Sequence, residues 1–253
     1  MKTSVLILAL LLFINGFAQP KKYTAANAHS HNDYANPIPF YLAFQNGFGS
    51  IEADIFAVNG ALLVAHGKQD LNAERSLKKL YLDPILHQFD SGQRRQLILL
   101  IDIKDDYKTC LTLLSKELEP LKKYLTTSNK KKYITIAISG NRPSPGEYNN
   151  YPKYIFFDDD LKKTHSKEQW ERVRLVSLPL YSVTRWNGVD KLSAADSIQW
   201  KKRIDSVHAA GKRIRFWAAP DTELSWQAQM NLGVDLIGTD NIKELAEFIR
   251  HKQ

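Results

Sequence analysis

Short apolar runs rich in β-branched and aromatic residues alternate along this chain with longer stretches whose apolar positions recur every three or four residues. The short runs predict eight strands, over residues 24–28, 50–56, 97–102, 133–138, 154–157, 173–178, 213–217 and 235–238. Residues 58–65 add a small hairpin around Asn59-Gly60, a pair that suits tight turns because both residues tolerate positive φ. Helical spacing over 39–46, 71–89, 107–125, 193–210, 222–231 and 242–251 fills most of the gaps. Gly47 and Gly211 stop two of these helices, and Asp240 or Asn241 caps the last. Strands alternating with helices imply parallel strands joined by crossovers. Eight of them in this length fit a single-domain (β/α)8 barrel, the TIM-barrel architecture. A doubly wound open sheet is the alternative, weakened because no glycine-rich phosphate loop follows the first strand.

The N-terminus follows a different pattern. Lys2 precedes an unbroken apolar run over residues 5–14, and Gly16-Phe17-Ala18 then places small residues at the positions a signal peptidase needs. That is the layout of a secretory signal peptide over residues 1–18, with the barrel domain spanning 19–253. The run is too short to cross a bilayer comfortably, so export to the periplasm or the medium is expected rather than anchoring. Cys110 is the single cysteine, which excludes an intramolecular disulfide. The formal charge of +8 points towards anionic partners: nucleic acid, a membrane surface or a phosphorylated molecule. Lys130-Lys131-Lys132 and Lys201-Lys202-Arg203 read as solvated faces, and no nucleic-acid motif accompanies them. A small or lipid-derived phosphodiester is therefore the expected partner, nucleic acid is not, and a transient contact with a membrane surface is compatible with the charge. The pattern leaves the oligomeric state open.

In a barrel, chemistry belongs at the carboxyl ends of the strands. The first strand leads into His29-Ser30-His31-Asn32-Asp33-Tyr34, the second carries Glu52 and Asp54, and His66-Gly67 follows the hairpin. The third ends in Asp102-Ile103-Lys104, the fourth is followed by Arg142, the seventh ends at Trp217, and Asn241 follows the eighth. Residues two apart on a strand share a face, so Glu52 and Asp54 converge, and repulsion between them calls for a cation or a shared proton. With Asp102 as a third oxygen donor and no cysteine nearby, one divalent cation, Mg²⁺ or Ca²⁺, suits the set better than zinc. Cleaving a phosphodiester needs a base for the nucleophile and an acid for the leaving oxygen, and histidines titrate in the useful range. Lys104 and Arg142 would neutralise the phosphoryl oxygens. His87 and His165 read as surface residues.

A histidine after the first strand, then Glu-x-Asp, then His-Gly after a short hairpin, resembles the glycerophosphodiester phosphodiesterases within the wider PI-PLC-like superfamily. His29-x-x-Asn32, Asp102-x-Lys104 and the late Trp217 look more like the sphingomyelinase D branch. The whole His-Ser-His-Asn-Asp-Tyr string is similar to the branch related to the altered-inheritance-of-mitochondria protein. The usual His-Arg-Gly and Pro-Glu-Asn-Thr signatures are absent, and Asp102 stands where a glutamate is usual. The resemblance implies metal-dependent cleavage of glycerophosphodiester- or lysophospholipid-type bonds, with His29 and His66 as the acid/base pair and His31 as the alternative to His29. Glu52, Asp54 and Asp102 would hold the metal and Lys104 would contact phosphate. Trp217 would line the mouth, with Asn32 and Asn241 near the substrate. A lyase that forms a cyclic phosphate and a non-catalytic barrel that binds phosphorylated ligands are the alternatives.

Overall fold

A computed structural model describes Pro20 and residues 22–252; the expected signal peptide lies outside the described residues. All eight expected strands form. They are β1 (Ala28–Ser30), β2 (Ser50–Val58), β4 (Leu97–Ile103), β5 (Ile134–Gly140), β6 (Ile155–Asp159), β7 (Val173–Pro179), β8 (Arg213–Trp217) and β9 (Ile237–Thr239), with β3 (Ala61–Val64) as the return arm of the hairpin. The sheet runs β8-β7-β6-β5-β4-β2-β1-β9, every neighbouring pair parallel. A parallel bridge between Arg215 and Leu236 brings the two ends together, so the sheet is a nearly closed barrel and the open doubly wound alternative falls. Around that seam the Asp235 carboxylate accepts from the Ile214 backbone N–H at 2.9 Å and lies 2.8 Å from His208 Nε2.

Alternation along the strands sorts their side chains. Ile98, Leu100, Ala137, Leu175 and Leu236 form a small apolar layer inside the barrel. The outward residues pack under the helices: Val176, Leu178, Ile214 and Phe216 meet Trp200, Ile204 and Val207 of the long helix over residues 194–209. Strands covered on both faces read as near-continuous apolar runs, which is why they are visible in the sequence.

The helices are α1 (Tyr41–Gln45), α2 (Asp83–Asp90), α3 (Tyr107–Glu117), α4 (Lys167–Glu171), α5 (Ala194–Ala209), α6 (Glu223–Leu232) and α7 (Ile242–His251). Two expected helices are shortened; residues 71–77 leave the first, where Leu63 and Ser76 form an antiparallel bridge and the Val64 N–H donates to the Arg75 carbonyl at 2.8 Å. Pro84 lacks an N–H and its ring crowds the carbonyl four residues back; the chain answers with a π turn over Lys78–Leu82 before α2 begins. Pro120 likewise ends α3 in a 3-10 turn, Glu119–Leu121. The first strand starts later than its pattern suggests. Thr24 caps a 3-10 turn over Ala25–Asn27, and β1 begins only at Ala28, which places His29 in the strand itself.

Candidate active site

The hairpin is the first positioning device. Asn59 and Gly60 take φ of 49° and 82°, and β2 and β3 pair from Val58↔Ala61 to Ile55↔Val64. This two-residue turn returns the chain beside the end of β2 and sets His66 next to Asp54, with Nδ1 3.4 Å from Asp54 Oδ2. The second device is register. Parallel pairing sets Asp54 against Asp102 and Asp102 against Ser139, so carboxylates distant in sequence become neighbours. Oxygens of Glu52, Asp54 and Asp102 all lie within 4.8 Å of one another. A third device is Gly140, at φ 66°, where a Cβ would sit 2.0 Å from Asp102 Oδ1. Only glycine lets the end of β5 pass so close to this carboxylate.

The three acids are in different electrostatic states. Burial pushes Glu52 up, but the Arg215 guanidinium, 2.8 Å from Oε2, and a hydrogen bond with His29 hold it well below the usual carboxylate range. Asp54 is pushed up to about 6 by burial and by the Glu52 charge, against the pull of Lys104. Asp102 is raised by burial, also against Lys104. The Lys104 ammonium bridges the latter pair, 3.1 Å from Asp54 Oδ2 and 3.0 Å from Asp102 Oδ2. Asp54 Oδ1 and Asp102 Oδ1 are buried without any hydrogen-bond partner. Two orphaned carboxylate oxygens beside a third carboxylate form an all-oxygen donor set that fits a hard divalent cation.

The histidines separate into two kinds. His29 is fully buried, its Nδ1 2.8 Å from Ser50 Oγ and its Nε2 2.8 Å from Glu52 Oε2. Burial and the nearby Arg215 lower it to about 4, so its ring is neutral near pH 7. His31 lies past the strand end, 40% exposed, with Nδ1 2.8 Å from Asp240 Oδ1. Although burial lowers its pKa, the hydrogen bond and charge of Asp240 raise it overall. His66 is 71% exposed, and its Nδ1 is 3.2 Å from the Tyr34 hydroxyl. That hydroxyl also lies 2.9 Å from Asp54 Oδ2 and 2.7 Å from Asn32 Oδ1, joining the loop after β1 to the acid cluster.

A cavity of about 790 Å³ opens at the carboxyl ends of the strands. Among its walls are His31, Asn32, Glu52, Asp54, His66, Asp102, Lys104, Arg142 and Trp217. His29 and Asn241 do not line it. His29 sits inside the barrel on β1, one step below the opening. The Asn241 side chain turns away to donate to Asp221 Oδ2 at 3.0 Å. His165, read as a surface residue, has its ring buried 3.0 Å from Asp159 Oδ2. Arg203, read as part of a solvated cluster, reaches the cavity wall. Sequence reasoning missed Arg215, Asp158 and Tyr181. Arg215 was findable, because it lies two residues before Trp217 and therefore on the same face of β8.

A family model described as "AIM6-like phosphodiesterase domain" matches residues 20–94, the segment that carries both loop histidines, Glu52, Asp54 and His66. The chain is 26% identical to the altered inheritance of mitochondria protein 6 homolog of Arthroderma benhamiae, over 85% of this chain and 81% of that one. It is also 26% identical to altered inheritance of mitochondria protein 6 of Eremothecium gossypii, over 87% and 68%. Among solved structures, a glycerophosphodiester phosphodiesterase from Parabacteroides distasonis superposes with a TM-score of 0.57 at 13% identity, over 91% of this chain and 97% of that one. A phosphodiesterase from Oleispira antarctica, solved with the product sn-glycerol-3-phosphate, gives 0.56 at 11% identity, over 88% and 96%. The resemblance read from the loop after the first strand is thus borne out: the chain has the barrel fold of the glycerophosphodiester phosphodiesterases and is similar in sequence to the altered-inheritance-of-mitochondria-6 proteins and their phosphodiesterase-like domain.

Proposed function

We propose that the chain is an exported phosphodiesterase cleaving glycerophosphodiester- or lysophospholipid-type substrates at the mouth of its barrel. One observation carries the reading. Two unpaired, buried carboxylate oxygens share a cavity with two accessible histidines and with Lys104 and Arg142. A divalent cation, Mg²⁺ or Ca²⁺, held by Glu52, Asp54 and Asp102, would supply Lewis acidity to a phosphoryl oxygen.

The protein's own residues do the rest. His31, oriented by Asp240, and His66, beside Asp54, form the acid/base pair. One takes a proton from the attacking water as its oxygen bonds to phosphorus; the other gives a proton to the leaving oxygen as the phosphorus–oxygen bond breaks. His29 acts on neither, and instead fixes Glu52 from within the barrel. Lys104 and Arg142 draw charge from the non-bridging oxygens. Leu161, Tyr181 and Trp217 are exposed large apolar residues that line this same cavity and give it a wall for the substrate's apolar part. Trp217 and Tyr181 meet edge to face at 5.5 Å.

The test is turnover of glycerophosphocholine and lysophosphatidylcholine with added Mg²⁺ or Ca²⁺, following products by phosphorus NMR. Glu52→Ala and His66→Ala should each lower kcat by roughly 10²–10⁴. Undiminished activity in both variants rejects the assignment. A cyclic phosphate among the products would mean that an internal hydroxyl attacks instead of water, using the same side chains.

A further inference from the structure

The opposite end of the barrel holds a second cavity, of about 540 Å³, among the amino ends of the strands. Four cations line it, Arg174, Arg213, Lys130 and Lys131, and among the described residues no carboxylate does. The N-terminal face of such a barrel ordinarily serves stability, so a recess with a single sign of charge needs an explanation. We infer that this cavity binds a phosphomonoester or inorganic phosphate.

Arg174 is the central observation. Between β6 and β7 the register jumps from Phe157↔Val173 to Asp158↔Leu175, leaving Arg174 as the extra residue of a bulge. A bulge re-aims the side chain it carries. Here it lays the guanidinium over the Phe156 ring, 4.1 Å from the centroid. Among the described residues no carboxylate forms a salt bridge with Arg174, and Glu171 acts on it only at longer range. Its cationic neighbours are already occupied: Arg172 donates to the carbonyls of Ile155 at 2.7 Å and Pro152 at 2.9 Å, and Lys212 donates to those of Trp170 and Val173. Positive charge is therefore gathered around Arg174, in a recess lined by no acid among the described residues.

The rest of the lining supplies what a phosphate needs. The segment carrying Lys130 and Lys131 is held in shape by its own bonds: the Thr127 hydroxyl accepts from the Lys130 N–H at 3.0 Å, and the Thr126 hydroxyl from the Lys132 N–H at 3.0 Å. Lys130 and Lys131 line the same recess as Arg174, whose planar guanidinium presents forked donors to phosphate oxygens. The lysine run that the sequence alone assigns to solvent thus gains a second role at this rim.

The experiment follows backbone amide shifts of the full chain during titration with inorganic phosphate. Shifts at residues 126–131 should saturate, and Arg174→Gln with Arg213→Gln should weaken that response at least tenfold. Lys104→Gln, which alters the mouth, should leave it intact; the inference therefore stands or falls separately from the proposed catalysis. Lys130→Gln with Lys131→Gln, on the exposed loop, should weaken it severalfold and serves if the arginine variant fails to fold. Shifts confined to the mouth overturn the inference, as does a response that never saturates and only tracks ionic strength. Vesicles containing phosphatidic acid separate the two sources of the group: binding to them, with none to inorganic phosphate, overturns the site as a receptor for a free small anion.

Discussion

At the scale of single residues, the loop after β1 shows how two positions decide a role. His29 and His31 are equivalent as letters, yet one ends inside the barrel and the other at its opening. The sequence pattern favours His29 because it aligns with the familiar motif. The later start of β1 is what places that ring under Glu52. The expected consequence is that His31→Asn lowers kcat by roughly 10² or more and removes a limb of the pH–rate profile. His29→Asn should lower stability while leaving the shape of that profile unchanged. A lost limb in the His29 variant alone would reverse the assignment. Gly140 makes a sharper case. Its φ is positive, and a Cβ added there would lie only 2.0 Å from Asp102 Oδ1, which leaves no room for alanine. Gly140→Ala should cost about 1–3 kcal/mol in chemical denaturation and weaken activity by displacing Asp102. Wild-type stability and activity in that variant would show that the strand end moves freely.

At the scale of elements, what can be read from the chain is periodicity, and what cannot is local chemistry that interrupts it. The parallel strands stand out because both of their faces are covered, and α7 has the bounds its spacing predicts, Ile242–His251. The π turn before α2 is hidden, since apolar spacing continues across it while Pro84 alters the hydrogen bonding. The Arg174 bulge is equally invisible, because an inserted residue shows only against its partner strand. Asp158 on β6 escapes for a related reason: the apolar pattern ends the strand at 157, whereas the strand runs on through Asp159. In the fold it is fully buried, accepting from Ser139 Oγ at 3.0 Å and from the Asp159 N–H at 3.0 Å. Burial pushes its carboxyl up to about 6, against the pull of Arg215. A carboxyl raised on folding contributes stability that is full below its unfolded value and lost as pH rises through its folded one. Asp158→Asn removes that loss. The variant should therefore gain on the wild type by roughly 2–3 kcal/mol between pH 4 and pH 7, measured by urea denaturation. A difference that stays constant with pH would mean that Asp158 ionises as freely in the fold as outside it.

At the scale of the whole molecule, the mouth holds acids that the fold tolerates only with a cation close by. Lys104 partly meets that need, yet Asp54 and Asp102 each keep an oxygen unpaired, and Asp54 remains raised to about 6. A divalent ion bound to the native state alone must stabilise it by mass action, by about 2.7 kcal/mol at a hundredfold excess over Kd. It binds the ionised carboxylates, so protonation of Asp54 competes with it, and the effect should shrink as pH falls through about 6. Thermal unfolding with Mg²⁺ or Ca²⁺, compared with unfolding in a chelator, should show a rise in Tm at pH 8 that is much reduced at pH 5. Glu52→Gln should diminish the rise at both. Because stability is the readout, the measurement needs no substrate and isolates the acid cluster from the histidines. If Tm is the same with and without divalent ions at pH 8, then the protein's own cations, Arg215 on Glu52 and Lys104 between Asp54 and Asp102, are all the positive charge this cluster needs.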